Sequence, residues 1–375
     1  MDSPPATIGM PLESVDTPAL LVDLDAFDEN IRRMATAVAS YGVRLRPHAK
    51  SHKSPAIALR QIGAGAVGVC CQKVGEAEAM AYGGITDILV SNQVWGAPKL
   101  SRLAALARQV RVAICVDDPH NVADISAAAE AYDADIDVLV EINVVEDDVR
   151  CGVPAGAPAL ELARKVASYP RLHFAGLQAY AGRAQHTREY AKRQAAVAYA
   201  SQLAGHTRDL LERDGLDCRS ITGSGTGTYS LEGSGGVYTE LQAGSYIFMD
   251  MDYSRNLGED GRPYRDFEQS LFIYSTVMSR PSEAGGVLDA GIKSSSFDSG
   301  PPGLLGVDDV ESMKGSDEHV AVRVSGGRFP YALGEKVKLI PGHCDPTVNM
   351  YDWIVGVRGE RVEALWPVAA RGLNR

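Results

Sequence analysis

From Ala19 to Thr226 short, β-rich apolar runs alternate with Ala-rich helical stretches, and this alternation limits the fold more than any other feature. The runs are ALLVDL (19–24), VRLRPHAK (43–50), VGVCCQ (67–72), DILVSN (87–92), VRVAICVD (110–117), DIDVLVEINV (135–144), LHFAGLQAY (172–180) and RSITGSGT (219–226). Stretches between them, such as AFDENIRRMATAVASYG, carry apolar residues at helical spacing and often stop at Gly. Strands alternating with helices build βαβ units around a parallel sheet. Eight strand runs fit a closed (β/α)8 barrel better than an open sheet; an open doubly wound sheet is the alternative. A dinucleotide fold fits less well, because the first run leads into DAFDEN rather than a Gly-rich turn.

After about Tyr253 the helical runs stop. SLFIYSTVMSR, GGVLDAGI, HVAVRVSG, EKVKLIPG and WIVGVRGERVEALWP read as short strands, the last as a hairpin turning at Gly359-Glu360. The reading is a barrel over 16–253 and an all-β domain over 254–375, with residues 1–15 packing on the latter and loops over 254–268 and 296–317. A length of 375 residues suits one large and one smaller domain. With 37 basic and 48 acidic residues the net charge is −11, which repels nucleic acid. No run is apolar for long enough to cross a bilayer, and the first residues lack a leader pattern, so a cytoplasmic location is expected. The six cysteines form no CxxC pair and are expected to be reduced thiols.

In a barrel, chemistry sits at the C-terminal ends of the strands. Those ends carry Asp23, His48, Lys50, Gln72, Asn92, Asp117, Glu141, Gln178, Tyr180 and Thr226. In LRPHAKSHKS, Lys50 shares a strand face with His48 if the strand is regular. A lysine pointing into a barrel mouth is costly unless neutral, paired or covalently used. Lys53 lies beyond the strand end, where a solvated role is expected. ITGSGTG (221–227), with Gly225 and Thr226, and the later Gly244-Ser245 can offer backbone N–H groups to a phosphate. Alone, such a turn is more often an ordinary one. Beside a strand-end lysine it matters, because pyridoxal 5'-phosphate (PLP) needs a lysine and a phosphate cup on one barrel face. In PGHCDPTVN an extended backbone would set His343 and Asp345 on one face, able to share a divalent cation, and Cys344 on the other. A lone HxD is weak, and a turn-stabilising Asp before Pro346 is the usual explanation.

Taken together, DTPALLVDL, LRPHAKSHKSP, GVCCQKVGEAEA, RCGV, GLQAYAG, ITGSGTG, YTELQAGSYIFMD, LDAGIKS and PGHCDPTVNMYDW resemble the D-threonine aldolase family of fold-type III PLP enzymes, from about residue 15 to Arg375. The resemblance implies a PLP barrel joined to a β domain, an alanine racemase-like fold, with a divalent cation, manganese before magnesium. It implies that Lys50 bonds to PLP, that His343 and Asp345 hold the metal, and that His186 stands near the substrate hydroxyl. Arg150 would lie close to the cofactor ring, with Gln72, Tyr180 and Thr226 as further contacts, the last in the phosphate cup. Aspartate in the second ligand place favours the aldolase over the related D-serine dehydratases, which resemble this segment but show His-x-Cys with zinc.

The implied reaction is cleavage of the Cα–Cβ bond of a D-3-hydroxy amino acid to glycine and an aldehyde, the base being His186 or hydroxide on the metal. A 3-hydroxy-D-aspartate aldolase, releasing glyoxylate, resembles the chain almost as well and would want an extra cation such as Arg183. A D-3-hydroxyamino acid dehydratase, a racemase and a non-catalytic PLP-binding barrel are the other readings. The partner expected is a small amino acid, with no nucleic acid and no membrane, and the assembly expected is a homodimer.

Overall fold

The computed structural model describes residues 3–145 and 150–375. Eight parallel strands run in the order Arg44–Leu45, Glu240–Leu241, Ser220–Gly223, Leu172–Gln178, Ile136–Asn143, Arg111–Val116, Asp87–Val90 and Val69–Cys71. The ends meet: the Val67 N–H donates to Leu45 O at 2.9 Å, the Cys70 N–H to Pro47 O at 2.9 Å, and His48 bridges Cys70 in parallel. The sheet is therefore the closed (β/α)8 barrel.

Side chains alternate across each strand. Val69, Cys71, Ile88, Val90, Ile114 and Val116 point out into the main core with the helices. Cys70, Leu89, Cys115, Leu139 and Ala175 point inward and fill the barrel as a separate buried layer. Truncating Leu89 or Leu139 to Ala there would cost ~2–5 kcal/mol. Two residues further along, the next inward positions are Gln72, Ser91, Asp117 and Glu141. The apolar layer thus forms the floor on which a polar mouth is built.

The second sheet is mostly antiparallel and runs Val310–Gly315, Val320–Val324, Gly285–Leu288, Leu271–Ser282, Ala19–Asp23, Trp353–Arg358 and Arg361–Pro367. Lys336–Ile340 also pairs with Leu271–Ser282 and carries Gly303–Leu304 on its far side. The hairpin at Gly359-Glu360 is present, pairing Arg358 with Arg361. Ala6, Leu12 and Val15 pack on this sheet against Leu21, Phe272 and Val355.

Two strand assignments change. Ala19–Asp23 is not the first barrel strand; it pairs antiparallel with Leu271–Ser282 and parallel with Trp353–Arg358. Asp23 accordingly caps the helix Leu24–Tyr41, accepting from the Asp25 and Ala26 N–H groups, and does not line the cavity at the barrel mouth. The missing barrel strand is Glu240–Leu241, only two residues long. The segment expected as a loop over 296–317 also contains the strand Val310–Gly315. All six cysteines are free thiols, five buried and Cys151 exposed. Among the described residues no helix is long and apolar enough to cross a membrane.

Candidate active site at the barrel mouth

A cavity of about 540 Å3 opens at the C-terminal ends of the barrel strands. Its walls include Lys50, Gln72, Arg150, Tyr180, His186, Gly225, Thr226, Gly244 and Ser245, so the candidate barrel residues converge on one space. Asp345 reaches it from the β domain by an ion pair with Lys50 and a 3.4 Å contact with Ser245 Oγ. His343 is set further back, with Nδ1 on Asp298 Oδ2 at 2.8 Å.

Lys50 does not arrive by strand alternation. The strand ends at Leu45 and Ala49–Ser51 form a 3-10 turn, which His48 caps by accepting the Lys50 N–H at 3.3 Å. The Lys50 side chain sits deep in the molecule yet keeps 41 % of its surface open to the cavity. Burial acts to lower its pKa, but the Asp345 carboxylate beside it prevails and raises it. The same pair holds Asp345 well below the usual carboxylate range, against the effect of burial. Beside them, burial and then the Lys50 charge press His48 down to about 3, so it is neutral. Its Nε2 meets Gln72 Oε1 and Ser91 Oγ, each at 3.2 Å. Lys53, expected to be solvated, is instead 7 % exposed and ion-paired with buried Glu76. Glu76 in turn accepts the Gln72 and Lys73 N–H groups and fixes the loop that carries Gln72.

Across the cavity, the Gly-rich turn after Ser220–Gly223 holds Ser224 at φ 73, a left-handed conformation that aims successive backbone groups to one side. The Thr226 hydroxyl is buried with no hydrogen-bond partner, an orphan that calls for an acceptor in the cavity. Gly244 lets the adjoining turn lie against the Lys50 turn, since a Cβ there would come within 2.7 Å of His48 O. The Arg150 guanidinium stacks over the Tyr180 ring, 4.7 Å from its centroid.

His186 ends the turn Gly182–His186, beside the Tyr253 ring at 5.7 Å between centroids. Its Nδ1 is bonded to the Asp252 carboxylate, which Arg188 also grips. Burial alone would raise Asp252, but His186 and Arg188 together bring it down to about 2. A carboxylate can only accept, so Nδ1 carries the proton and Nε2 is the basic nitrogen. The sequence alone assigns no role to Asp252, Ser91, Gln242 or Tyr253, although Ser91 lies in DILVSN, Gln242 lies in YTELQAGSYIFMD, and Asp252 and Tyr253 lie just past the end of that segment.

The PGHCDPT segment is not extended through the candidate ligands. His343 is extended, but Cys344–Val348 is a short helix with Asp345 in its first turn. Cys344 therefore does not sit on the opposite face of a strand; it is fully buried and its N–H donates to Asp250 at 2.9 Å. Among the described residues no three His, Cys, Asp or Glu side chains gather as metal donors. The pair still suits an open site. Asp298 fixes His343 by one ring nitrogen, as an outer carboxylate does for a metal-binding histidine, leaving the other for a cation.

The chain is similar to known proteins along nearly its whole length. The alanine racemase N-terminal domain family matches residues 22–252, and the putative serine dehydratase domain matches 270–357. A D-threonine aldolase of Arthrobacter sp. is 46 % identical over 99 % of this chain and 97 % of its own. A 3-hydroxy-D-aspartate aldolase of Paracoccus denitrificans (strain Pd 1222) is 44 % identical over 98 % and 95 %. The crystal structure of D-threonine aldolase from Filomicrobium marinum superposes with a TM-score of 0.95 at 47 % identity, covering both chains fully. The chain belongs to the D-threonine aldolase and 3-hydroxy-D-aspartate aldolase family, on the alanine racemase-like scaffold of fold-type III PLP enzymes.

Proposed function

We propose that this chain is a PLP- and divalent-metal-dependent aldolase that cleaves D-3-hydroxy amino acids of the D-threonine type to glycine and an aldehyde. The observation that carries it is the convergence, in one cavity, of Lys50, the Gly-rich turn with its unpartnered Thr226 hydroxyl, and the Asp252–His186 pair. PLP, when bound, supplies an electron sink for the pair left at Cα. Lys50 is its anchor and Gly225, Thr226, Gly244 and Ser245 hold its phosphate. Gln72, Arg150 and Tyr180 line its ring. A divalent cation, manganese before magnesium, supplies positive charge beside the β-hydroxyl when His343 and Asp345 hold it. His186 Nε2 accepts the hydroxyl proton, and Asp252 holds the ring in the tautomer that leaves that nitrogen free to accept.

A β-carboxylate substrate is the second reading, because Arg183 lines the cavity close to His186. The chain is proposed to act in the cytoplasm as a homodimer; sedimentation should give twice 40.0 kDa, and a fully active monomer would contradict this. The function is tested by incubating D-threonine with protein, PLP and manganese while following acetaldehyde, glycine and keto acid together. Equal acetaldehyde and glycine are expected. A keto acid with ammonia would make the chain a dehydratase.

A further inference from the structure

Beneath the Gly-rich turn lies a carboxyl group that the reaction does not use. Glu232, on the short helix Tyr229–Ser234, is 1 % exposed. Its Oε1 is 2.9 Å from Thr228 Oγ1 and its Oε2 is 3.1 Å from Ser224 Oγ. Thr228 already accepts from Gln185 Nε2 at 2.8 Å, so its own hydrogen goes to Oε1. Ser224, by contrast, lines the cavity, and its hydrogen can go to Glu232, to the more distant Gly225 O at 3.4 Å, or into the cavity.

No cation among the described residues answers Glu232. On the helix Tyr190–Arg213, Arg193 spends its guanidinium on the carbonyls of Thr187, Arg188 and Leu257. From the helix Leu24–Tyr41, Tyr41 meets Gly233. On Glu240–Leu241, Glu240 pairs with Arg44 and Arg46 at the other end of the barrel. The titratable groups that feel its charge are the phenols of Tyr180 and Tyr238, both pushed up by burial and so neutral. An ionised carboxylate here would stand one hydroxyl away from the site proposed for a phosphate.

We infer that Glu232 works as a neutral carboxylic acid, donating through Oε2 to Ser224 Oγ and thereby turning the Ser224 hydroxyl hydrogen into the cavity, toward the cofactor's phosphate. Glu232 is a positioning residue, acting through Ser224. Burial supports this by pushing its carboxyl up to about 8. The inference rests on the proposal that the turn holds the phosphate. Because phosphate binding favours the protonated form, affinity falls as pH rises through that value, by at most ~tenfold per pH step.

The test is titration of the apoprotein with PLP and with pyridoxal, which lacks the phosphate, from pH 7 to 9.5 by absorbance. Groups shared by both ligands cancel in the ratio of their Kd values. In the wild type the ratio should worsen for PLP above pH 8. Glu232→Gln should keep the pH 7 ratio within about 3-fold and lose this pH dependence, while Glu232→Ala should weaken PLP about tenfold throughout, the size expected for a lost hydrogen bond to a charged group. A Gln variant that follows the wild type at every pH, or binds as weakly as Ala, overturns the inference alone. If Thr226→Val leaves the ratio unchanged, the turn does not hold the phosphate, and both that assignment and the inference fall.

Discussion

Replacing Asp252 by Asn changes no volume and one charge, and the hydrogen-bond geometry dictates the result. Arg188 can only donate, through Nη2 to the Asp252 carboxylate and through Nη1 to Asp252 O at 2.7 Å and Asn256 Oδ1 at 2.9 Å. An Asn side chain must therefore turn its oxygen to Arg188 and its NH2 to His186. The imidazole Nδ1 then has to accept, which moves the ring proton to Nε2 and removes the base. General-base assistance is worth ~10²–10⁴ in rate, or about 3–5 kcal/mol of activation free energy. In steady-state cleavage of D-threonine, kcat should fall at least ~100-fold with little change in KM. The absorbance of bound PLP should be unaltered. Because the two residues act as a unit, Asp252→Asn in a His186→Ala background should cost nothing further. A variant retaining more than about a third of kcat would refute the reasoning, as would losses that multiply in the double variant.

The remaining expectations concern the metal and acid. Chelation should abolish cleavage while leaving PLP bound, manganese should restore it, and Asp345→Ala should behave like the chelated protein. Cys344→Ala should stay largely active, because the buried thiol only donates to Asp345 Oδ1 at 3.3 Å and its loss leaves that carboxylate free to hold the cation; loss of the metal in that variant alone would reverse the ligand assignment. The fall of Asp252 from 3.8 to about 2 is worth about 2 kcal/mol of stability. That contribution is complete above the unfolded carboxylate range and is lost as pH falls through the folded value near 2. Urea midpoints between pH 5 and 2 should thus decline less steeply in Asp252→Asn than in the wild type, and parallel curves would count against the pairing.

What could be read from the sequence was set by local signals. Seven barrel strands and the closing hairpin announce themselves by apolar runs and turns. ALLVDL has the same texture, but an apolar run does not say which sheet receives it; its near-complete burial suits a strand held between Leu271–Ser282 and Trp353–Arg358 as well as one in a barrel wall. Glu240–Leu241 is too short to show periodicity. In HCDPT the Asp and Pro are signals of a helix start, as much as of a turn. The Asp252–His186 and Glu232–Ser224 contacts follow from how loops close over the barrel, and no spacing rule reaches across the 66 residues of the former. Lys53 shows the converse: its surface reading fails because Glu76 is buried with it.

Covalent trapping tests the central claim most directly. Borohydride reduction of the protein with PLP, followed by peptide mapping, should place a single pyridoxyl label on Lys50, the lysine that opens onto the cavity. Lys53 is closed off by Glu76 and Lys293 is paired with Glu318 at the surface. A label on either of them, with Lys50 unmodified, would contradict the account.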